Sequence, residues 1–180
     1  MFMQARRNRP PLRRHRLWWS RPRRSDTPTF LFADLAGYTA LTEERGDEAA
    51  ADLAREFRRT MCELSRDHGA RQVKSMGDGV MIWTPDSAAG VSLAVGAVEE
   101  VGMRADLLPL SVGVHTGQAV RRGRDWYGSA VNVAARLADR AGPNEALVSD
   151  VTWVLAACEL TEPVEAQREL ALKGIGGPGA

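Results

Sequence analysis

Apolar and polar positions along the chain follow two periods. Thr29–Asp34 (TFLFAD) is a short apolar run closed by an acid, which predicts a buried strand, and Leu35–Thr39 then turns away. From about Asp47 to Arg66 the apolar positions Ala49, Leu53, Phe57, Met61 and Leu64 recur at three- and four-residue steps. That spacing predicts an amphipathic helix, with Arg55, Arg58, Arg59 and Glu63 mostly on the wet side and His68-Gly69 as its end. Val73–Ile82 places two apolar runs around Gly77-Asp78-Gly79, the pattern of a β-hairpin with an acid at its tip. Pro85-Asp86 opens a second helix, rich in Ala and Val, running to about Arg104. Leu110–His115 reads as a strand, Thr116-Gly117 as its turn, and Gln118–Arg122 as a short strand paired through the turn Arg122–Asp125. A third helix is predicted from about Ser129 to Asp139. A strand over Ala146–Ser149, a short helix over Val151–Ala156 and a last strand over Glu169–Leu172 follow, before a glycine-rich end.

The core order is strand, helix, hairpin, helix, strand. It predicts an α+β domain of the ferredoxin-like (βαββαβ) kind, a mostly antiparallel sheet with helices on one face. A chain of 180 residues suffices for one such domain plus a tail. Charge locates the boundary. The net charge is +1, but residues 1–24 hold nine arginines and no acid, which leaves 15 basic and 23 acidic side chains, a net of −8, in the remainder. We therefore divide the chain into a basic tail, residues 1–27, and a domain, residues 28–180. The tail's Arg/Pro-rich composition argues for disorder. It reads either as a solvated extension or as an electrostatic contact with an anionic membrane or nucleic acid, anchored by Trp18 and Trp19. It has no apolar run long enough for a signal peptide or a membrane span. Cys62 and Cys158 lie far apart, as reduced thiols of a cytosolic protein would, so the expected location is cytoplasmic.

Candidate chemistry gathers at three places. Asp34 and Asp78 stand at strand ends, and in a split βαβ arrangement the first strand pairs beside the hairpin, so the two carboxylates can converge. Two carboxylates with open positions suit Mg²⁺ or Mn²⁺, which keep water and take up phosphate oxygens. The turn Leu35–Thr39, with Gly37 in it, offers backbone N–H groups to phosphates. Taken alone, Gly-Asp-Gly is also simply good turn chemistry. Of 24 basic residues only Lys74 and Lys173 are lysines. They are either chance survivors of an arginine-biased composition or positions that need a compact ammonium. Asn132 and Arg136, four apart on the third helix, share a face, as a solvated stripe or as a functional pair.

Five stretches together carry a resemblance: FADLAGYT (Phe32–Thr39), VKSMGDGVMI (Val73–Ile82), GVHTG (Gly113–Gly117), DWYGSAVNVAAR (Asp125–Arg136) and ALKG (Ala171–Gly174). In this order and spacing the chain resembles the class III nucleotidyl cyclase catalytic domain over about residues 29–175. The resemblance implies that Asp34 and Asp78 bind two Mg²⁺ or Mn²⁺ ions and that Lys74 and Asp125 select the base. It implies that Asn132 places the ribose, Arg136 neutralises phosphate charge and Lys173 binds the terminal phosphates. It further implies a homodimer with each site built across the interface, Asp34 and Asp78 from one subunit facing the other five residues from its partner. Lysine only donates and aspartate only accepts, which complements adenine N1 and N6 and not guanine. The implied reaction is therefore conversion of ATP to 3′,5′-cyclic AMP and pyrophosphate. Relatives usually continue into one more strand after the lysine, whereas this chain ends seven residues past Lys173, so the last strand is expected to be missing and Lys173 poorly anchored. The alternatives are a cyclase of relaxed or guanylate specificity, or a non-catalytic cyclase-homology domain that binds nucleotide or a heterodimer partner. Nucleic acid as the main ligand is disfavoured by the acidic domain. Only a weak contact of the tail with anionic membrane is carried forward.

Overall fold

The computed structural model describes residues 2–4, 27–157 and 159–160. In chain order the elements are β1 (Phe2–Gln4), β2 (Thr29–Leu35), α1 (Tyr38–Asp67), β3 (Arg71–Met76), β4 (Gly79–Thr84) and α2 (Ser87–Gly102). They continue with β5 (Leu110–Thr116), β6 (Val120–Arg122), β7 (Asp125–Tyr127), α3 (Ser129–Ala138), β8 (Glu145–Ser149) and α4 (Asp150–Ala156). Six strands form one sheet in the order β1-β8-β5-β2-β4-β3, and β6 and β7 form a separate ribbon. Strand β2 is central and pairs antiparallel with β4 and with β5, while β8 runs parallel to β5. The segment β2 to β5 is the expected split βαβ unit, and α3 carries the chain across to the parallel strand β8.

The helices do not all lie on one face, as the sequence pattern had suggested. Strand β2 is apolar on both sides. Leu31, Ala33 and Leu35 enter the main core with Val80, Ile82, Val112 and Val114 of the neighbouring strands, Phe57 and Met61 of α1, and Val91, Ala94 and Val98 of α2. Phe30 points the other way and packs with Met81 against Ala130 and Ala134 of α3, with Phe32 and Trp83 alongside. A second apolar face needs its own cover, and α3 supplies it with a stripe of Ala130, Val133, Ala134, Leu137 and Ala138.

That packing is close because the sheet carries a glycine under the helix. A Cβ on Gly113 would lie 2.2 Å from the Ala138 nitrogen and 2.3 Å from the Ala134 carbonyl oxygen. These are backbone atoms, so no side-chain rotation relieves the clash. The GVHTG stretch is thus partly a packing motif. Its His115 and Thr116 serve the far end of the sheet, where His115 Nδ1 lies 2.7 Å from Ser149 Oγ and the Thr116 N–H donates to Thr152 Oγ1 at 2.7 Å.

Two further differences from the sequence reading concern the start of α1 and the tail. Helix α1 begins at Tyr38, ahead of the expected Asp47, and carries a break at Gly46 with φ 81°. The first stretch is polar and lacks an apolar stripe, so periodicity does not reveal it. Helix α2 starts where expected, its N-cap Asp86 accepting from the Ala89 N–H at 3.0 Å. Phe2–Gln4, assigned to the tail, pairs antiparallel with β8 as an edge strand. The rest of the tail, residues 5–26, and the expected strand Glu169–Leu172 lie outside the described residues. Among the described residues no helix is long and apolar enough to cross a membrane.

Gly113→Ala should cost about 3 kcal/mol through forced separation of α3 from the sheet, equivalent to about 10 °C in the unfolding midpoint of a domain this size. Thermal unfolding followed by circular dichroism measures this, and a midpoint within about 2 °C of the parent would contradict the packing described.

Candidate active site

Asp34 is the sixth residue of β2, opposite Gly79 of β4 on one side and Ser111 of β5 on the other. Alternation puts its side chain on the face of Phe30 and Phe32. Its carboxylate occupies the space a side chain at position 79 would take: a Cβ on Gly79 would lie 2.7 Å from Asp34 Oδ1. Asp78 sits in the two-residue connection Gly77-Asp78 between β3 and β4. Gly77 has φ 63°, the left-handed conformation that a II′ hairpin turn takes at its first position. The Leu35 N–H reaches back to the Asp78 carbonyl at 3.4 Å, and Arg58 Nη1 of α1 donates to the Gly77 carbonyl at 3.2 Å.

The two acids are therefore brought to the same end of the sheet, and they repel. The Asp34 carboxyl is pushed up to about 6, first by desolvation, then by the carboxylates of Asp78 and Asp139. A divalent cation between Asp34 and Asp78 would remove that repulsion. Among the described residues no group of three or more His, Cys, Asp or Glu side chains is placed to hold a metal. A two-carboxylate donor set leaves most positions to water and phosphate, which fits Mg²⁺ or Mn²⁺ better than a structural ion. Gly37 is the N-cap of α1, in the left-handed region at φ 88°, and has no side chain to cap that helix's first turn.

Lys74 and Asp125, 51 residues apart, form an ion pair with Lys74 Nζ 2.8 Å from Asp125 Oδ2. A β-bulge makes this possible. Gln72 pairs with Ile82 and Lys74 pairs with Met81, leaving Val73 as the extra residue. In unbroken register Lys74 would oppose Val80 and point into the main core. The bulge turns it to the Met81 face, where β7 lies. The Asp125 carboxylate also accepts from the Trp126 N–H at 2.8 Å. Lys74 and then this backbone bond hold it below the usual carboxylate range.

Asn132 and Arg136 are exposed on the outer side of α3, while Val133, Ala134 and Leu137 are buried beneath. One chain thus assembles two groups, Asp34 with Asp78 and Lys74 with Asp125, and presents Asn132 and Arg136 outward. Lys173 lies outside the described residues. Sequence reasoning passed over Gly79, whose missing side chain admits the Asp34 carboxylate, although the second glycine of Gly-Asp-Gly was a visible signal. It also passed over the bulge at Val73, for which the sequence offers none.

The chain is similar to several known proteins. Residues 21–178 match the family described as adenylate and guanylate cyclase catalytic domain. An uncharacterized protein of Mycobacterium tuberculosis is 34% identical over 152 residues, 82% of this chain and 38% of that protein. A pH-sensitive adenylate cyclase of the same species is 39% identical over 125 residues, 68% of this chain and 30% of that protein. The chain therefore spans well under half the length of these relatives. Among solved structures, an adenylate/guanylate cyclase/hydrolase from Silicibacter pomeroyi superposes with a TM-score of 0.73 at 25% identity, covering 83% of this chain and 91% of that one.

The electrostatics of Asp34 set a stability test. A carboxyl raised to about 6 from an ordinary 3.8 contributes stability that is complete below 3.8 and lost as pH rises through 6. Asp34→Asn should accordingly raise the metal-free unfolding midpoint at pH 8 and leave it nearly unchanged at pH 3.5. Millimolar Mn²⁺ should raise the midpoint of the parent at pH 8 and not that of the variant. Equal Mn²⁺ shifts in both proteins would exclude Asp34 as a ligand.

Proposed function

The chain belongs to the adenylate and guanylate cyclase catalytic domain family, and on that premise we propose that it converts ATP to 3′,5′-cyclic AMP and pyrophosphate in the cytoplasm. The observation that carries the choice of ATP is the Lys74–Asp125 ion pair at 2.8 Å. Lys74 donates to the adenine N1 acceptor, and Asp125 accepts from the N6 amino group. Guanine presents an acceptor at O6 and a donor at N1, so it meets Lys74 and Asp125 with the wrong partners. Polar groups left unpaired in a closed site discriminate strongly.

Asp34 and Asp78 would hold two Mg²⁺ or Mn²⁺ ions, which would supply positive charge beside the ribose 3′-oxygen and the triphosphate. The 3′-oxygen attacks the α-phosphorus, the bond to the β-phosphate bridging oxygen breaks, and pyrophosphate leaves. Asn132 orients the ribose. Arg136 and Lys173 offset the charge that gathers on the leaving group, and the first-turn amides of α1 around Gly37 receive phosphate oxygens. No side chain is assigned as general base.

We assign the active form as a homodimer. The support is the outward placement of Asn132 and Arg136 on α3, open to a second chain. In this reading Asp34 and Asp78 of one chain work with Lys74, Asp125, Asn132, Arg136 and Lys173 of its partner.

Purified protein given ATP or GTP with Mn²⁺ or Mg²⁺ should form cyclic AMP, and Asp34→Ala should reduce the rate by about a hundredfold or more. Lys74→Glu combined with Asp125→Cys should shift preference toward GTP. Absence of cyclic nucleotide under every combination would leave a non-catalytic domain. Activity per chain should also fall steeply on dilution below the dimer dissociation constant, and constant specific activity in a demonstrably monomeric sample would rule out a shared site.

A further inference from the structure

The base-reading pair stands on a weakly supported element. Strands β6 and β7 have three residues each and, among the described residues, pair only with each other, and Val120, Arg121 and Arg122 are exposed. A two-stranded ribbon is at best marginally stable by itself. Yet Asp125, the first residue of β7, must meet a lysine on a different strand.

The next residue supplies the anchor. The Trp126 indole meets Phe30 edge-on at 5.5 Å and 69°, and Trp83 in a tilted contact at 5.1 Å and 49°. The Arg121 guanidinium lies over its ring at 5.9 Å. Such contacts stabilise beyond area burial and fix orientation. The same apolar cluster takes in Val73, the bulged residue that turns Lys74 toward β7. Both halves of the pair therefore hang on one small core. The Trp126 N–H also donates directly to Asp125 Oδ1 at 2.8 Å, so movement of the indole is passed to the carboxylate through a single residue.

We propose that Trp126 is the positioning residue for base selection: gripped by Phe30 and Trp83, it holds β7 where Asp125 meets Lys74, and so sets the preference for adenine over guanine. The indole Nε1 is buried without a hydrogen-bond partner among the described residues. A buried donor with no acceptor contributes nothing favourable, so the aromatic faces are what matter, and phenylalanine should serve in its place. The proposal rests on the cyclase reading for its effect on nucleotide choice, but its structural content is independent of activity.

Two readouts on the full chain test it. The first needs no catalysis: carbon NMR titration of the Asp125 carboxyl, which Lys74 and the Trp126 N–H hold below the ordinary range in the parent. Trp126→Leu should release it toward the ordinary value, and Trp126→Phe should keep it low. The second is the ratio of kcat/KM for ATP over GTP, which Trp126→Leu should lower by about tenfold or more, chiefly through KM for ATP, while Trp126→Phe stays near the parent. Should Trp126→Leu not fold, Trp83→Leu removes one of the two gripping rings from outside the ribbon and should move both readouts in the same direction. A folded Trp126→Leu protein with Asp125 still low overturns the proposal. So does a Trp126→Phe protein as perturbed as Trp126→Leu. If the parent makes no cyclic nucleotide the cyclase reading fails, and the carboxyl titration alone then decides the positioning role.

Discussion

Strand β2 presents Leu31, Ala33 and Leu35 on one face and Phe30 and Phe32 on the other, and the architecture follows from covering both. One face is served by α1 and α2, the other by α3. A central strand with one wet face would need no third helix there, and the crossover from β5 to β8 could run elsewhere. With two apolar faces, α3 is drawn down until its backbone rests on Gly113. Its outer side then carries Asn132 and Arg136, so the surface proposed to meet a partner chain is a consequence of covering β2.

The two charged groups obey opposite rules. Lys74 and Asp125 attract and settle each other's charge, in a partly exposed setting where such a pair adds only modest stability. Its worth lies in orientation. Asp34 and Asp78 repel, and burial first, then the nearby Asp78 carboxylate, raise the Asp34 carboxyl. Like charges kept close by the scaffold mark a place where a cation or a substrate completes the structure. Gly79 makes that approach feasible by giving the Asp34 carboxylate room, and Arg58 steadies the turn from behind by bonding the Gly77 carbonyl.

Between the two groups lies the hairpin β3–β4, which contributes to each. Its tip carries Asp78. Its bulge at Val73, four residues before Gly77, directs Lys74 to the opposite function. A one-residue slip in a strand exchanges the faces of every side chain beyond it. The bulge uses that sensitivity to place a charged residue on the side where Asp125 stands, with Val73 partly buried against the cluster of Phe30 and Met81 as its counterweight.

The chain by itself determined a good deal. Periodicity defined most of the strands and the three longer helices, because burial of one face imposes a repeat that can be read residue by residue. The acids at the ends of two apolar runs, the scarcity of lysine and the Asp125–Arg136 stretch pointed to six of the candidate site residues. Only the tertiary structure decided which face each would occupy. The bulge at Val73, the crossing of α3 onto the second face and the seating of Trp126 between two rings all depend on contacts between residues dozens of positions apart. Local sequence does not encode such contacts, since each segment's preference is settled by the apolar surface it finds already in place.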